Sequence, residues 1–246
     1  MNINGVLNLC KPTGLTSFDI VRLVKGLTHQ KRVGHGGTLD PLASGVLPIC
    51  IGQATRITEF LAEAAKIYEA RIVLGVATDT YDAEGEVVLT ADPSSVTRER
   101  MEEALGSFRG TIEQVPPMYS ALKHQGKRLY ELARAGVVVE RQKRTALIHR
   151  LEISEWDPPE VTLHVECGRG TYIRSLADDL GQALGCGAHL KELVRHKTGP
   201  FDIRDALDPE QFRAAVEHDR WEELLYPVDF ALLGLNAAII DRKAER

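Results

Sequence analysis

The chain has 246 residues, 43% of them hydrophobic, and carries 30 Lys and Arg against 35 Asp and Glu, a formal net charge of -5. That length and apolar content suit one large or two modest folded domains and exclude disorder as the main state. The most apolar stretch, residues 46–51, falls far short of the roughly 18 residues of a membrane span, no basic and apolar leader is visible, and a cytoplasmic address is expected.

In chain order, residues 5–9 read as a short apolar strand that breaks at Lys11-Pro12-Thr13-Gly14. Thr16 and Asp19 stand at capping-box spacing, and Phe18, Val21, Val24 and Leu27 recur at helical intervals behind them, which predicts a helix over 17–27. A glycine-dense loop, 34–45, feeds a buried strand at 46–51. Tyr68, Ala70, Ile72 and Leu74 alternate with more polar neighbours as a half-buried strand does. Asp82-Ala83-Glu84-Gly85 reads as a turn before a second strand ending at Leu89, and 96–108 as a helix opening at Thr97. A further helix is expected over 127–135, stopped by Gly136. Val161, Leu163, Val165 and Cys167 mark another strand, and the Gly168-Arg169-Gly170 turn leads into a helix carrying Ile173, Leu176, Ala177, Leu180 and Leu184, closed by Gly185. Strands and helices alternate without a regular βαβ rhythm, so the expected class is α+β on a mixed, mostly antiparallel sheet.

A negative total argues against a nucleic-acid partner, because neutralising phosphates needs Lys and Arg. The charge is segregated, however. Residues 1–204 hold 25 basic and 25 acidic side chains, and the whole excess belongs to 205–246, with ten acidic and five basic. Between Lys123 and Arg150 eight basic residues face two acidic ones, a local +6. A basic run is most often a solvated face, but Tyr119, His124 and Tyr130 are interleaved, which suits phosphates and unstacked bases. Cys10, Cys50, Cys167 and Cys186 show no zinc or redox spacing and read as free thiols.

Three stretches could carry chemistry. Gly34-His35-Gly36-Gly37-Thr38-Leu39-Asp40-Pro41-Leu42-Ala43-Ser44-Gly45 presents one carboxylate, Asp40, on a loop whose glycines let backbone approach a ligand. It is neither a P-loop nor a dinucleotide fingerprint. Asp40 followed by Pro41 also fits a helix N-cap, and His35 can serve its own loop. No second carboxylate lies nearby in sequence, so a two-acid glycosidase is unsupported. The basic segment is the second stretch. Gly168-Arg169-Gly170-Thr171-Tyr172-Ile173-Arg174 is the third, with an arginine in the first turn of a helix, where anions are favoured.

The run from Gly34 to Pro48 resembles the catalytic motif of the TruB family of bacterial tRNA pseudouridine-55 synthases. Other motifs of that family follow in its order: Lys11-Pro12-Thr13-Gly14 with Thr16-Ser17, Lys66-Ile67-Tyr68, Pro116-Pro117-Met118-Tyr119-Ser120-Ala121-Leu122-Lys123, Gly170-Thr171-Tyr172-Ile173-Arg174-Ser175-Leu176, and Gly185-Cys186-Gly187-Ala188-His189-Leu190 through Leu193 and Arg195. Such a series over about 230 residues is far more specific than any single match. The resemblance implies a pseudouridine-synthase fold and isomerisation of a T-loop uridine in tRNA without cofactor or metal. It implies that Asp40 is the nucleophile, that Tyr68 packs on the target base and helps remove its C5 proton, and that Arg174 pairs with Asp40. It further implies that His35 fills the space of the flipped nucleotide and that Tyr172 and Leu193 line the base pocket. Lys11, Lys123, Lys127 and Arg128 are expected at the RNA, the last three on a basic insertion over about 117–145 that folds against the T-arm and is mobile without RNA. The catalytic domain is expected to span 1–230. Residues 231–246 then form a tail where a small RNA-binding domain of the family would begin, and that domain is expected to be absent. A monomer is expected. Two alternatives remain open: a guide-RNA-dependent synthase of the same superfamily, disfavoured by Leu42-Ala43-Ser44-Gly45 after Asp40-Pro41, and a tRNA-binding or tRNA-folding protein whose catalysis is dispensable.

Overall fold

The computed structural model describes residues 3–120 and 122–233. The chain opens with β1 (Gly5–Lys11), α1 (Ser17–Thr28), β2 (Val33–His35), β3 (Ser44–Ile51), α2 (Thr58–Glu63) and β4 (Lys66–Leu74). A small hairpin of β5 (Val76–Thr78) and β6 (Val87–Thr90) leads to α3 (Arg98–Gly106) and β7 (Gly110–Gln114). The basic segment supplies β8 (Lys123–His124), β9 (Lys127–Arg128) and α4 (Leu129–Arg134). Then come β10 (Arg144–Asp157), β11 (Glu160–Cys167), α5 (Ile173–Leu184), β12 (Ala188–Thr198), β13 (Phe201–Asp202) and α6 (Pro209–Glu217).

Nine strands form one sheet in the order β1-β3-β12-β4-β11-β10-β7, with β2 on β3 and β13 on β12. Every pairing is antiparallel except β3 with β12, where Val194 meets Ser44 and Arg195 meets Gly45. The class is therefore α+β with a mixed, mostly antiparallel sheet, as the sequence predicts.

Local signals place the site. Thr16 and Asp19 close the predicted capping box on α1, and the helix buries Ser17, Ile20, Val21 and Val24. This fixes the chain just before the loop that carries Asp40. At the far end of the fold, Gly185 takes a left-handed φ of 77° and ends α5, turning the chain back into β12. That strand lies between β3 and β4, so the C-terminal part of the chain is inserted into the middle of the sheet. A second apolar cluster, with Phe201, Tyr226 and Phe230 in ring contact, closes the edge near β1 and β3.

The helix predicted over 127–135 is shorter. Lys127 and Arg128 pair as a strand with Lys123 and His124, because Gln125 and Gly126 both adopt positive φ, 49° and 87°, the geometry of a tight two-residue hairpin. The helix begins only at Leu129. The tail expected over 231–246 lies outside the described residues from 234 onward.

Candidate active site

Asp40 does not cap a helix. Its carbonyl accepts from the Ala43 amide at 3.1 Å, closing a turn that runs directly into β3. The loop around it is clamped from three sides. Ser17, on the first turn of α1, donates to the Leu39 carbonyl at 3.0 Å and accepts from the Leu39 amide at 2.8 Å. The Gly14 amide donates to the Pro41 carbonyl at 2.8 Å. From β12, the fully buried Arg195 guanidinium donates to the carbonyls of Val46 at 2.7 Å, Thr38 at 3.3 Å and Gly37 at 3.2 Å. Gly45 is required here: its φ is +105°, and a Cβ would lie 2.2 Å from the Arg195 carbonyl.

The Asp40 carboxylate meets Arg174 Nη2 at 2.7 Å. Arg174 sits in the first turn of α5 and is nearly buried, with 5% of its side chain exposed. The same guanidinium donates to the Tyr119 carbonyl at 2.8 Å and meets a second carboxylate, buried Asp82, at 3.4 Å. Asp82 is held in turn by the Thr80 hydroxyl at 2.6 Å and the Glu84 amide at 3.1 Å. A planar fork between two carboxylates and a carbonyl has its geometry set by several partners at once. Asp40 remains 38% exposed and is the open end of this network.

Tyr68 is buried on β4, opposite Arg195 of β12 on one side and Val165 of β11 on the other. Burial raises its phenol pKa, and the Arg195 guanidinium beside it offsets part of that rise. Leu193 is buried on β12 opposite Ala70. Tyr172 precedes α5, its amide and carbonyl both held by the Gln114 side chain, at 3.0 and 3.2 Å. Its own phenol pKa is raised by burial. His35 ends β2 and accepts from the Gly37 amide at 3.4 Å through Nδ1. Burial and the nearby Arg195 hold the imidazole below its ordinary pKa.

Lys11 departs from its expected place at the RNA. It is fully buried, and its ammonium donates to the carbonyls of Pro12 at 2.8 Å, Leu15 at 2.7 Å and Pro41 at 3.4 Å. It braces the Asp40-Pro41 turn and does not face solvent. Burial lowers its pKa to about 8, against the opposing pull of Asp40. Lys66 is a second buried ammonium, bonded to the carbonyls of Leu61, Ala62 and Ala64 at the end of α2, with its pKa lowered to about 8 by burial. Beyond this network the chain continues into the β8–β9 hairpin, which carries Lys123, Lys127 and Arg128. The chain on either side is tied back to it: the Tyr130 amide donates to the Ser120 carbonyl, next to the Tyr119 carbonyl that Arg174 engages.

Asp82, Arg195 and Lys66 are the residues that sequence reasoning left without a role. Asp82 reads as an ordinary turn acid. For Arg195 a signal was present, a cation among Leu190, Leu193 and Val194 where a buried strand calls for apolar groups. Among the described residues no group of three or more His, Cys, Asp or Glu could hold a metal ion.

The fold is that of pseudouridine synthases. The chain is similar to a solved Cbf5-Nop10-Gar1 complex (TM-score 0.74, 31% identity), matching 94% of its own length and 61% of that chain. It is also similar to an H/ACA RNP bound to a substrate RNA containing 2'-deoxyuridine (TM-score 0.70, 29% identity), covering 92% of this chain and 60% of that one. It thus spans about 60% of the length of those solved chains. A model of the TruB family pseudouridylate synthase N-terminal domain matches residues 25–173, and one of the tRNA pseudouridylate synthase B C-terminal domain matches 174–233. The chain belongs to the TruB family. Relatives named tRNA pseudouridine synthase B include one from Dehalococcoides mccartyi, 48% identical over 98% of this chain and 80% of the relative. Another, from Pseudomonas aeruginosa, is 47% identical over 94% and 77%. The boundary between the two matched segments falls in the first turn of α5, yet β12 beyond it pairs with both β3 and β4, so both segments build one sheet.

Proposed function

We propose that this TruB-family enzyme isomerises uridine to pseudouridine in tRNA, at position 55 of the T-loop, with Asp40 as nucleophile. The observation that carries the reading is the 2.7 Å pair of half-exposed Asp40 with buried Arg174: the arginine aims the carboxylate, and its own aim is held by Asp82 and the Tyr119 carbonyl. The reaction breaks the C1′–N1 bond, joins C1′ to C5, and moves one proton from C5 to N1, with no redox change. A carboxylate on a loop cannot reach a stacked nucleotide, so the uridine must be flipped out. Tyr68, Tyr172 and Leu193 receive the base, and His35 stands by the space it leaves. Burial raises the Tyr68 pKa, so the neutral phenol packs on the base, and it takes the C5 proton only while passing its own hydroxyl proton on toward N1, with no net proton lost. Residues 1–230 act as one catalytic unit. The basic insertion, about 117–145, grips the T-arm through Lys123, Lys127 and Arg128. The unit works as a cytoplasmic monomer.

An Asp40→Asn variant tests the chemistry. With tRNA transcript labelled with tritium at uridine C5, the native enzyme releases tritium and the variant releases none, while still binding the RNA. Turnover by the variant would remove Asp40 from its role. Conversion of a bare T-arm hairpin without guide RNA separates this reading from a guide-dependent one.

A further inference from the structure

The outer face of α1 carries a feature that the proposed chemistry does not use. Phe18 is 60% exposed, on a helix whose opposite side is fully buried. Arg22 lies one turn on, its guanidinium carbon 5.8 Å from the centre of the Phe18 ring, and Lys25 follows at i+7 on the same face. Beyond the helix, Lys31 and Arg32 are exposed as well. From Phe18 to Arg32 these four cations face one acid, Asp19, a local net of +3. Asp19 is already engaged by Thr16 and Arg22. A solvated helix face needs no phenylalanine on it, whereas an exposed aromatic ring beside a guanidinium is what unpaired bases stack on, with neighbouring cations for the phosphates. The position fits: Ser17, the residue before Phe18, makes both hydrogen bonds to Leu39 beside Asp40. The capping box holds this first turn in place before any RNA arrives.

We propose that the face formed by Phe18, Arg22, Lys25, Lys31 and Arg32 is a second tRNA-contact surface, separate from the basic insertion, on which Phe18 stacks an unpaired base and the cations follow the backbone. The proposal rests on tRNA being the substrate. Phe60, the other large exposed aromatic among the described residues, lies between Glu59 and Glu63 and serves as control. The experiment measures tRNA affinity against salt and pseudouridine formation against tRNA concentration. Phe18→Ala should raise Kd and KM about 5- to 150-fold, the equivalent of one lost stacking contact of about 1–3 kcal/mol, with Phe18→Trp restoring binding. Arg22→Ala with Lys25→Ala should flatten the salt dependence by about 1.4 to 1.8 units of slope. Phe60→Ala should change nothing. Native affinity in Phe18→Ala, or an equal loss in Phe60→Ala, overturns the surface while leaving the functional reading intact. Absence of pseudouridine formation by the native enzyme instead overturns that reading, and the proposal with it.

Discussion

The floor beneath Asp40 and the basic segment use the same residue types to opposite ends. In the floor, Lys11, Lys66, Arg174 and Arg195 are buried, and between them they donate to ten carbonyls while Arg174 also pairs with two carboxylates. In the basic segment, Lys127, Lys143 and Arg144 stand exposed, and Lys143 meets Glu113 at 3.5 Å with both side chains open to solvent. A buried cation with fixed partners acts as a strut, and removing it leaves unpaired groups in a dry place. An exposed cation loses little on removal from the free protein and acts when phosphate arrives. The floor substitutions should therefore damage folding and turnover, and the arm substitutions should damage affinity alone.

The largest effect is expected at Arg174. Arg174→Met removes the buried guanidinium that Asp40 and Asp82 share and should lower stability by about 3–5 kcal/mol, read by denaturant unfolding, with pseudouridine formation lost. Asp82→Asn tests the same network more gently: the protein stays folded, and kcat falls roughly 100-fold as Arg174 and then Asp40 lose their alignment. An unchanged kcat would reduce Asp82 to a folding residue. Next comes Arg195→Met, which frees the carbonyls of Gly37, Thr38 and Val46. A cost of about 2–4 kcal/mol and a kcat loss near 100-fold should appear, with Kd for tRNA within about twofold of native. A loss confined to affinity would place Arg195 with the arm and break the contrast.

The arm is tested by changing Lys123, Lys127 and Arg128 together to Ala. Melting should be unaltered, while the salt dependence of tRNA binding flattens by about two to three units of slope. An unaltered slope would make the segment a solvated face, and a large fall in melting temperature would make it part of the floor.

How much of this was legible in advance follows the same division. Elements with simple periodicity, α1 with its Thr16 cap, β4, β11 and α5, stand in the structure within a few residues of their predicted bounds. The long strand β12 was not legible, because register shifts after Leu190 and Arg195 break its alternation and a cation occupies a buried position. The pairing of Asp40 with Arg174 was readable from family motifs. Asp82 was not, since it reaches Arg174 only because the hairpin β5–β6 folds Asp82 against Leu190 of β12. Lys11 was misplaced for a related reason: a lysine in a Lys-Pro turn looks accessible until three carbonyls are found around it.

The smallest effect is a pH dependence within the floor. Lys66 has a pKa near 8 when folded, against an ordinary value of 10.5. Between these values the unfolded chain binds more protons than the folded one, so this residue makes stability rise with pH from about 8 toward 10.5. Below pH 8 both states are protonated and the contribution is flat. In Lys66→Met the group is gone, so the stability of the native protein minus that of the variant should grow between pH 8 and 9.5, by at most about 2 kcal/mol. A Lys66 difference that stays constant with pH would mean the ammonium keeps its proton inside the fold, its bonds to the carbonyls of Leu61, Ala62 and Ala64 outweighing desolvation.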